Sequence, residues 1–289
     1  MGQPIFLDYD REALDREYDN RGKVTDFAHY LARYTTESAM ARREVPCRLD
    51  VRYGPGAGET LDIFPAPGSA PAPIHVFVHG GYWRALDKAD FSYVVRAFRP
   101  AGATVVVINY ALLPSVDMDE LVRQCRAAVA WVYQNARSFG GDAQRLFVSG
   151  HSAGGHLAAM LMSTDWPAFA GLPADVITAG CGISGLYDLE PIRLCYLNAD
   201  LRLGPEQARR NSPIHTVPAR SGPLLLAVGG LEGAEYHRQT DELALAWQKR
   251  GLACEVMDMA GQNHFTIADQ LTDPASELSR AILRQMGLR

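Results

Sequence analysis

A serine between two glycines is the clearest candidate for a reactive side chain. The segment GHSAGG (150–155) places Ser152 between Gly150 and Gly154. The apolar run LFVS (146–149) precedes this segment and an Ala/Leu-rich stretch follows it, so a strand and a helix are expected on its two sides. Side chains two positions before or after the serine would collide in a sharp strand-to-helix turn, which explains the glycines. The pattern predicts a nucleophilic hydroxyl that projects at the N-terminus of a helix.

A second glycine-rich segment, HGGYW (79–83), also follows a short apolar run. Backbone N–H groups of such a loop can join the N–H of Ala153, the residue after the serine, to hold the oxyanion of a tetrahedral intermediate. We expect Gly81 and Tyr82 to be the loop donors, with Gly80 as the nearest alternative. Glycine at these positions lets the backbone approach a substrate closely.

A serine nucleophile needs a base, and the usual order along such chains is serine, then a carboxylate, then histidine. His264 lies in QNHFTI (262–267), just after an apolar run, and is the candidate base. Glu232 stands four residues past another apolar run and is the candidate acid. Two alternatives for the acid stay open. Glu235 can also be a charge at the start of a helix, and Asp188 can also be a residue that caps a loop.

The other histidines close to these motifs receive structural interpretations. His79 begins the glycine-rich loop and is expected to orient it. His151 and His156 flank the candidate nucleophile, and we expect them to pack there rather than to take part in chemistry.

The elements that must position these residues can be predicted from hydrophobic periodicity. Short, fully apolar runs alternate with helical patterns, which favours crossover connections and a mostly parallel sheet with helices on both faces. The clearest helix spans 119–137, with Asp117 and Glu120 where a capping pair would stand. The predicted strands are 74–78, 104–108, 146–149, 176–180, 224–228 and 253–259. In such sheets a site forms at the carboxyl ends of the strands.

Residues 1–44 are predicted to form a helical N-terminal arm. Phe27, Tyr30, Leu31 and Tyr34 recur at spacings that describe one face of a helix. The arm can either brace the sheet or act as a flap over the site, and both interpretations stay open.

The rest of the chain fits one domain, 1–289. Residues 47–53 and 60–64 alternate apolar and polar groups, which predicts a hairpin at a sheet edge. The proline-rich stretch 65–73 is expected to be a surface connection. Residues 186–222 interrupt the alternation with four prolines, so we expect a small cap insertion above the sheet.

Composition narrows the class of protein further. The 289 residues carry a formal net charge of −5 and are 47% hydrophobic, which is ordinary for a soluble globular protein. A mild negative charge gives no reason to expect nucleic acid or an anionic membrane as a partner. The five cysteines are scattered without a C-x-x-C pair, so neither a disulfide framework nor a metal site is expected, and no cofactor is implied. Without a signal-like N-terminus or a long apolar run, the expected location is the cytoplasm.

With these residues identified, the sequence resembles the arylformamidase (kynurenine formamidase) branch of the α/β-hydrolases, close to HGG-motif esterases. The segments that carry the likeness are YLARYTTESA (30–39), HGGYW (79–83), GHSAGGHLAA (150–159), ISGLYDLEP (183–191), the EYHRQ stretch after Glu232, and NHF (263–265). The family's acid is commonly aspartate, whereas Glu232 is one methylene longer. The resemblance also implies that Tyr82, Trp83 and Tyr187 could receive an aryl group, with packing under the loop as the other interpretation.

The leading hypothesis is therefore a serine hydrolase that cleaves a small aryl formamide, such as N-formylkynurenine, through an acyl-enzyme. A broad short-chain carboxylesterase is the alternative, and a non-catalytic ligand-binding member of the fold is a third possibility. The expected partner is a small ester or amide substrate, and the sequence leaves a homodimer open.

Overall fold

A computed structural model describes residues 2–68 and 71–289 of the chain. Its centre is an eight-stranded sheet within those residues. The strands are β1 (Arg48–Arg52), β2 (Thr60–Phe64), β3 (Ala72–Val78), β4 (Thr104–Ile108), β5 (Gly141–His151), β6 (Ala179–Ile183), β7 (Leu224–Gly229) and β8 (Cys254–Met259). Their order across the sheet is β1-β2-β4-β3-β5-β6-β7-β8. Strands β3 to β8 are mutually parallel. At one edge β2 pairs antiparallel with β4, and β1 pairs antiparallel with β2, as the predicted hairpin requires.

Helices occupy the connections between the strands. The α-helices are α1 (Arg11–Tyr18), α2 (Asn20–Lys23), α3 (Phe27–Glu44), α4 (Val95–Phe98), α5 (Met118–Asn135), α6 (Ala153–Met162), α7 (Trp166–Ala170), α8 (Glu190–Leu194), α9 (Asn198–Leu201), α10 (Pro205–Arg210), α11 (Ala234–Lys249), α12 (Thr266–Asp269) and α13 (Glu277–Gln285). Short 3₁₀ helices cover Lys88–Asp90, Ser92–Val94, Ala136–Phe139, Pro213–His215 and Gln270–Thr272. Among the described residues, no helix is both long and apolar enough to cross a membrane.

Successive residues of the central strands serve two separate cores. In β4, Val106 and Ile108 belong to the core that also contains residues of α5, α6 and α11. Val105 and Val107 belong to a second core, together with residues of α4, α12 and α13. Because side chains alternate across a strand, a strand that is buried throughout needs an apolar layer on each face. The predicted fold class, a mostly parallel sheet with helices on both faces, is confirmed.

Helix α5 shows how closely local sequence can fix an element. Its predicted range, 119–137, differs by one or two residues from the observed Met118–Asn135. The carboxylate of Asp117 accepts a hydrogen bond from the backbone N–H of Glu120 at 2.8 Å, as expected of an N-cap.

The bounds of three strands differ from the prediction by two residues or more. Strand β5 was expected at 146–149 but covers Gly141–His151. Strand β6 was expected at 176–180 but covers Ala179–Ile183, since the ladder with β5 begins at the pair Phe147–Ala179. The prediction followed the β-branched residues, whereas the pairing uses small ones. A Cβ at Gly180 would lie 2.7 Å from the sulfur of Met162, so only a small residue lets α6 pack there.

Strand β3 begins at Ala72 and includes a proline, so the connection predicted over 65–73 is shorter than expected. Pro73 lies within the strand and not outside the sheet. Residues 69–70 of that connection lie outside the described part of the chain.

The N-terminal arm and the segment between β6 and β7 touch each other. The predicted arm contains α1, α2 and α3, and the predicted insertion (186–222) contains α8, α9 and α10. The carboxylate of Asp15 in α1 accepts a hydrogen bond from the backbone N–H of Tyr196 at 2.6 Å. Whether the insertion acts as a cap remains a prediction.

Candidate active site

Ser152 occupies a strained turn between β5 and α6. Its φ of 60° and ψ of −122° are unusual for a residue with a side chain and cost roughly 1–3 kcal/mol. A Cβ at Gly150 would lie 2.1 Å from the carbonyl oxygen of Gly154, and a Cβ at Gly154 would lie 2.0 Å from that of Val78. Any larger residue at either position would push the turn apart, so these glycines are what allow Ser152 to project from it.

Ser152, His264 and Glu232 form one chain of polar contacts. The Oγ of Ser152 lies 2.9 Å from the Nε2 of His264, and the Nδ1 of His264 lies 3.3 Å from the Oε2 of Glu232. A carboxylate can only accept, so the proton of a neutral imidazole resides on Nδ1 and the lone pair of Nε2 faces the serine hydroxyl. The side chains of Glu232 and His264 are 1% and 8% exposed, which keeps solvent from competing for these contacts.

The loop that carries His264 is held from several directions. Asn263 caps the turn, because its Oδ1 accepts hydrogen bonds from the backbone N–H groups of Phe265 and Thr266 at 2.9 and 3.0 Å. The ring of His151 donates to the carbonyl oxygen of His264 at 2.8 Å. These contacts fix the backbone from which the imidazole reaches the serine.

Glu232 has a partner that sequence reasoning missed. Its Oε1 accepts a hydrogen bond from the hydroxyl of Ser184, and the backbone N–H of Gly229 lies 3.3 Å from the same oxygen. Ser184 directly follows β6, at the carboxyl edge of the sheet. The signal was therefore present, but it was obscured because the strand was expected three residues earlier.

The two alternative acids do not reach His264. Glu235 accepts a hydrogen bond from the hydroxyl of Tyr18 at 2.9 Å and forms an ion pair with Arg238 at 2.8 Å. Asp188 accepts from the backbone N–H of Glu190 at 3.0 Å, and burial raises the pKa of its carboxyl. Of the three carboxylates considered, the structure brings only Glu232 to the histidine.

The glycine-rich loop leaves backbone donors beside the serine. Gly81 has a φ of 114°, and a Cβ there would lie 2.1 Å from the carbonyl oxygen of Ala85, so the tight turn requires glycine. Within residues 2–68 and 71–289, the backbone N–H groups of Gly80, Gly81, Tyr82 and Ala153 have no hydrogen-bond acceptor, so Gly80 stays an alternative donor. Unused donors of this kind suit an oxyanion.

His79 orients this loop, as its position suggested. Its Nδ1 lies 2.8 Å from the carbonyl oxygen of Gly80, and its Nε2 lies 3.0 Å from the Oδ1 of Asn109. The imidazole also stacks on the ring of Tyr110, with ring centroids 4.2 Å apart. The loop is thus tied to the end of β4.

The histidines that flank Ser152 are packed, as predicted. His156 donates from Nε2 to the carbonyl oxygen of Asn211 at 2.7 Å and accepts at Nδ1 from the indole N–H of Trp83 at 3.0 Å. Burial lowers the pKa of His156 to about 4 and that of His151 well below its usual range. Both rings therefore stay neutral at physiological pH.

A cavity of about 100 Å³ opens in front of Ser152 and His264. Its walls are largely apolar and aromatic, while its mouth is polar. The apolar side chains are Leu31, Tyr34, Leu86, Phe91 and Phe265. Three polar side chains of the lining reach solvent and mark the mouth, namely Arg21, Arg84 and Tyr196, whereas Asn20 is buried.

Two aromatic residues proposed for substrate binding do not line this cavity. Trp83 and Tyr187 are both fully buried, and neither belongs to the cavity wall. Trp83 turns away because its indole N–H bonds His156, and the ring of Tyr187 packs against Gly182 and Gly185. In the structure these two residues take the packed position, and a substrate contact is not among the described features of their surroundings.

Tyr82 does line the cavity, but its hydroxyl is committed elsewhere. It donates to the carbonyl oxygen of Tyr18 at 2.7 Å and lies 2.9 Å from the hydroxyl of Tyr236. The amide of Asn20 donates to both hydroxyls, at 3.1 Å to Tyr82 and 2.6 Å to Tyr236. This cluster of Tyr18, Asn20, Tyr82 and Tyr236 joins the N-terminal arm to the glycine-rich loop, and sequence reasoning did not find it.

The arm contributes part of the cavity wall. Asn20 and Arg21 come from α2, whereas Leu31 and Tyr34 come from α3. The hydroxyl of Tyr34 donates to the carbonyl oxygen of Phe265 at 2.6 Å, directly beside His264. The arm therefore both braces the histidine loop and lies over the site.

The sheet order and a serine at the turn between β5 and α6 define the α/β-hydrolase fold. Esterases and amidases of this class share that arrangement. The BD-FAE family model matches residues 61–169. The chain is 35% identical to kynurenine formamidase from Danio rerio, over 86% of this chain and 84% of that protein. It belongs to the kynurenine formamidase family and is a hydrolase.

Two further comparisons agree with this placement. Esterase LipC from Mycobacterium tuberculosis is 32% identical, over 66% of this chain and 52% of that protein. The crystal structure of a candidate thioesterase from Silicibacter sp. superimposes with a TM-score of 0.83 at 29% identity, covering 93% of this chain and 98% of the other.

Proposed function

We propose that the protein hydrolyses small aryl formamides of the N-formylkynurenine type, with Ser152 as nucleophile, His264 as base and Glu232 as the acid. The observation that carries this proposal is the 2.9 Å contact between the Ser152 hydroxyl and the His264 imidazole at the base of an aromatic-walled cavity. The similarity to kynurenine formamidases supports formyl as the acyl group.

In the first half of the reaction, the Oγ of Ser152 attacks the formyl carbon while its proton moves to the Nε2 of His264. The carbonyl oxygen becomes an anion, and the N–H groups of Ala153 and of Gly81 or Tyr82 stabilise it. One such donor is worth roughly 3–4 kcal/mol in the transition state. Glu232 stabilises the imidazolium formed at the same time.

The intermediate then collapses, and the C–N bond breaks as His264 returns the proton to the departing aryl amine. The product of this step is a formyl ester on Ser152. A water molecule gives a proton to His264 and attacks the ester carbon, after which Ser152 recovers the proton and formate leaves.

The cavity walls suit an aryl leaving group. Phe91 and Phe265 are almost fully buried and present ring surface to the cavity. An aryl group placed between such rings removes apolar area from water and gains aromatic contacts. A formyl group adds only a hydrogen to the carbonyl carbon, so the cavity needs little further room on the acyl side.

A short-chain carboxylesterase is the second candidate, and the similarity to LipC favours it. The same serine, histidine and backbone donors would cleave an ester by the same steps. The two functions differ in the leaving group, because an amine must be protonated as it departs whereas a phenolate need not be.

The test is a turnover assay of wild type and Ser152→Ala with N-formylkynurenine and a short p-nitrophenyl ester. Efficient cleavage of the formamide by wild type, with at least about a thousandfold loss in the variant, is expected. Ser163→Ala is the matched control, because this serine caps the end of the same helix and its hydroxyl donates to the carbonyl oxygen of Ala159 rather than to a residue of the site.

Cleavage of the ester alone would support the carboxylesterase. Equal rates for wild type and Ser152→Ala would show that another group is the nucleophile.

We also propose a reducing, cytoplasmic setting. All five cysteines are unpaired, and burial raises the pKa of Cys125 and Cys181, which keeps these thiols protonated and unreactive. Fractionation of cells that express the tagged protein tests this setting, and recovery of the protein outside the cytoplasmic fraction would contradict it. The homodimer remains a prediction that light scattering on the purified protein tests.

A further inference from the structure

Two guanidinium groups stand at the mouth of the cavity, and they differ in their partners. Arg84 forms an ion pair with the carboxylate of Asp200. Arg21 forms no ion pair with any carboxylate in the part of the chain that the structure describes. A cation that lines a substrate cavity without a partner can bind an anionic group of the substrate.

Arg21 is exposed, but contacts on its two sides restrict its position. It follows Asn20, whose amide bonds the hydroxyls of Tyr82 and Tyr236. Its guanidinium lies 5.5 Å from the centroid of the Phe27 ring, close enough for a cation–π contact. The backbone is anchored on one side and the head group is supported on the other.

The carboxylate nearest in sequence does not neutralise this charge by direct contact. Asp19 accepts a hydrogen bond from the backbone N–H of Gly22 at 3.0 Å and caps the start of α2. The mouth thus carries one unpaired guanidinium above an aromatic-walled cavity whose base holds Ser152 and His264.

We infer that Arg21 binds a carboxylate on the leaving-group side of the substrate and makes the site selective for anionic aryl substrates. A single planar guanidinium matches one carboxylate through two parallel hydrogen bonds. N-formylkynurenine carries such a carboxylate, in the amino-acid group at the end of its ketone side chain. The choice of this molecule as the natural substrate rests on the proposed function. The selectivity for an anionic leaving group does not depend on whether a formamide or an ester is cleaved.

The experiment measures kcat/KM for two matched substrate pairs. The formamide pair is N-formylkynurenine and 2-formamidoacetophenone, which lacks the amino-acid tail. The ester pair is 3-(2-acetoxyphenyl)propanoate and the corresponding neutral propanamide. Wild type is expected to prefer the anionic member of each pair, and Arg21→Gln to reduce that preference about five- to tenfold, chiefly through KM.

Arg43→Gln is the matched control. Arg43 is exposed on α3 and lies outside the cavity wall, so its loss changes the net charge equally without removing the proposed contact. The control is expected to keep the wild-type preference. Arg21→Lys is expected to recover part of the preference for the anionic substrate. Salt at about 0.5 M is expected to weaken the preference of wild type, because it screens solvent-exposed charges beyond roughly 3–5 Å.

An unchanged preference in Arg21→Gln, or equal loss in Arg43→Gln, would overturn the inference. Absence of formamide turnover in wild type would overturn the proposed function instead, and the ester pair would still decide the role of Arg21.

Discussion

At the scale of single residues, Glu232 shows how a longer acid can be accommodated. Its extra methylene places Oε2 3.3 Å from His264 while Oε1 reaches the hydroxyl of Ser184. Aspartate, which is common in this family, is shorter and would reach both groups only if the loop moved. Ser184 therefore fixes the rotamer of the longer side chain, and the orientation of the imidazole follows from it.

Replacement of Glu232 tests this arrangement. We expect Glu232→Gln to lower kcat about a thousandfold, because the amide can no longer stabilise an imidazolium. Glu232→Asp keeps the charge and is expected to lose about tenfold or less. Steady-state kinetics measures whether the Gln variant loses more kcat than the Asp variant. Glu255→Gln, at an exposed position in β8, is the control. Equal losses in the Gln and Asp variants would show that charge is not what matters there.

At the scale of elements, the N-terminal arm is part of the site. Asn20 in α2 donates to the hydroxyl of Tyr82, whose backbone lies in the proposed oxyanion loop. Tyr236 in α11 shares this contact, and its ring lies 5.1 Å from that of His264. One short helix thus touches both the loop and the surroundings of the base.

A double-mutant cycle tests whether Asn20 positions the loop. Asn20→Leu is expected to lower kcat about tenfold with little change in KM, because the backbone donors at Tyr82 would lose their support. Tyr82→Phe removes the same hydrogen bond from the other side and keeps the backbone N–H. If Asn20 acts through Tyr82, the double variant loses little more than either single one. Independent, multiplying losses would contradict that role.

The sequence predicted the features that depend on a few neighbouring residues. The turn around Ser152 could be predicted because its steric demands fall on Gly150 and Gly154, and the N-cap at Asp117 because it acts within one helical turn. The partners of Tyr82 could not, since Asn20 and Tyr236 lie 62 and 154 positions away and no local pattern marks them. The interpretation of Tyr187 stayed open because aromatic residues near a site line it or pack beneath it with the same local sequence.

At the scale of the whole molecule, buried neutral histidines make stability depend on pH. The pKa of His156 is lowered to about 4 in the folded chain, whereas an unfolded histidine titrates near 6.5. Between these values the unfolded chain binds more protons, so stability falls as the pH drops below about 6.5 and levels off near 4. This one group is expected to account for about 2 kcal/mol of the loss between pH 7.5 and pH 5.

Urea unfolding at pH 7.5 and pH 5 measures this dependence. His156→Gln is expected to be less stable at both values, because hydrogen bonds to Trp83 and Asn211 are perturbed, but to lose about 2 kcal/mol less between them than wild type. His215→Gln, at an exposed position, is expected to keep the wild-type difference. An unaltered pH dependence in His156→Gln would refute the assignment.

The contact between Tyr34 and Phe265 joins residues 231 positions apart. Tyr34 therefore leaves the ribosome long before the carbonyl that accepts its hydrogen bond is made. Until residue 265 has been made, the hydroxyl of Tyr34 has no native acceptor, whereas its ring can already stack on Tyr93, with ring centroids 5.0 Å apart. Activity should appear only once the arm and the His264 loop have met, and a nascent chain stalled before His264 should hold an arm that is docked on Phe91 and Tyr93 but not on the histidine loop.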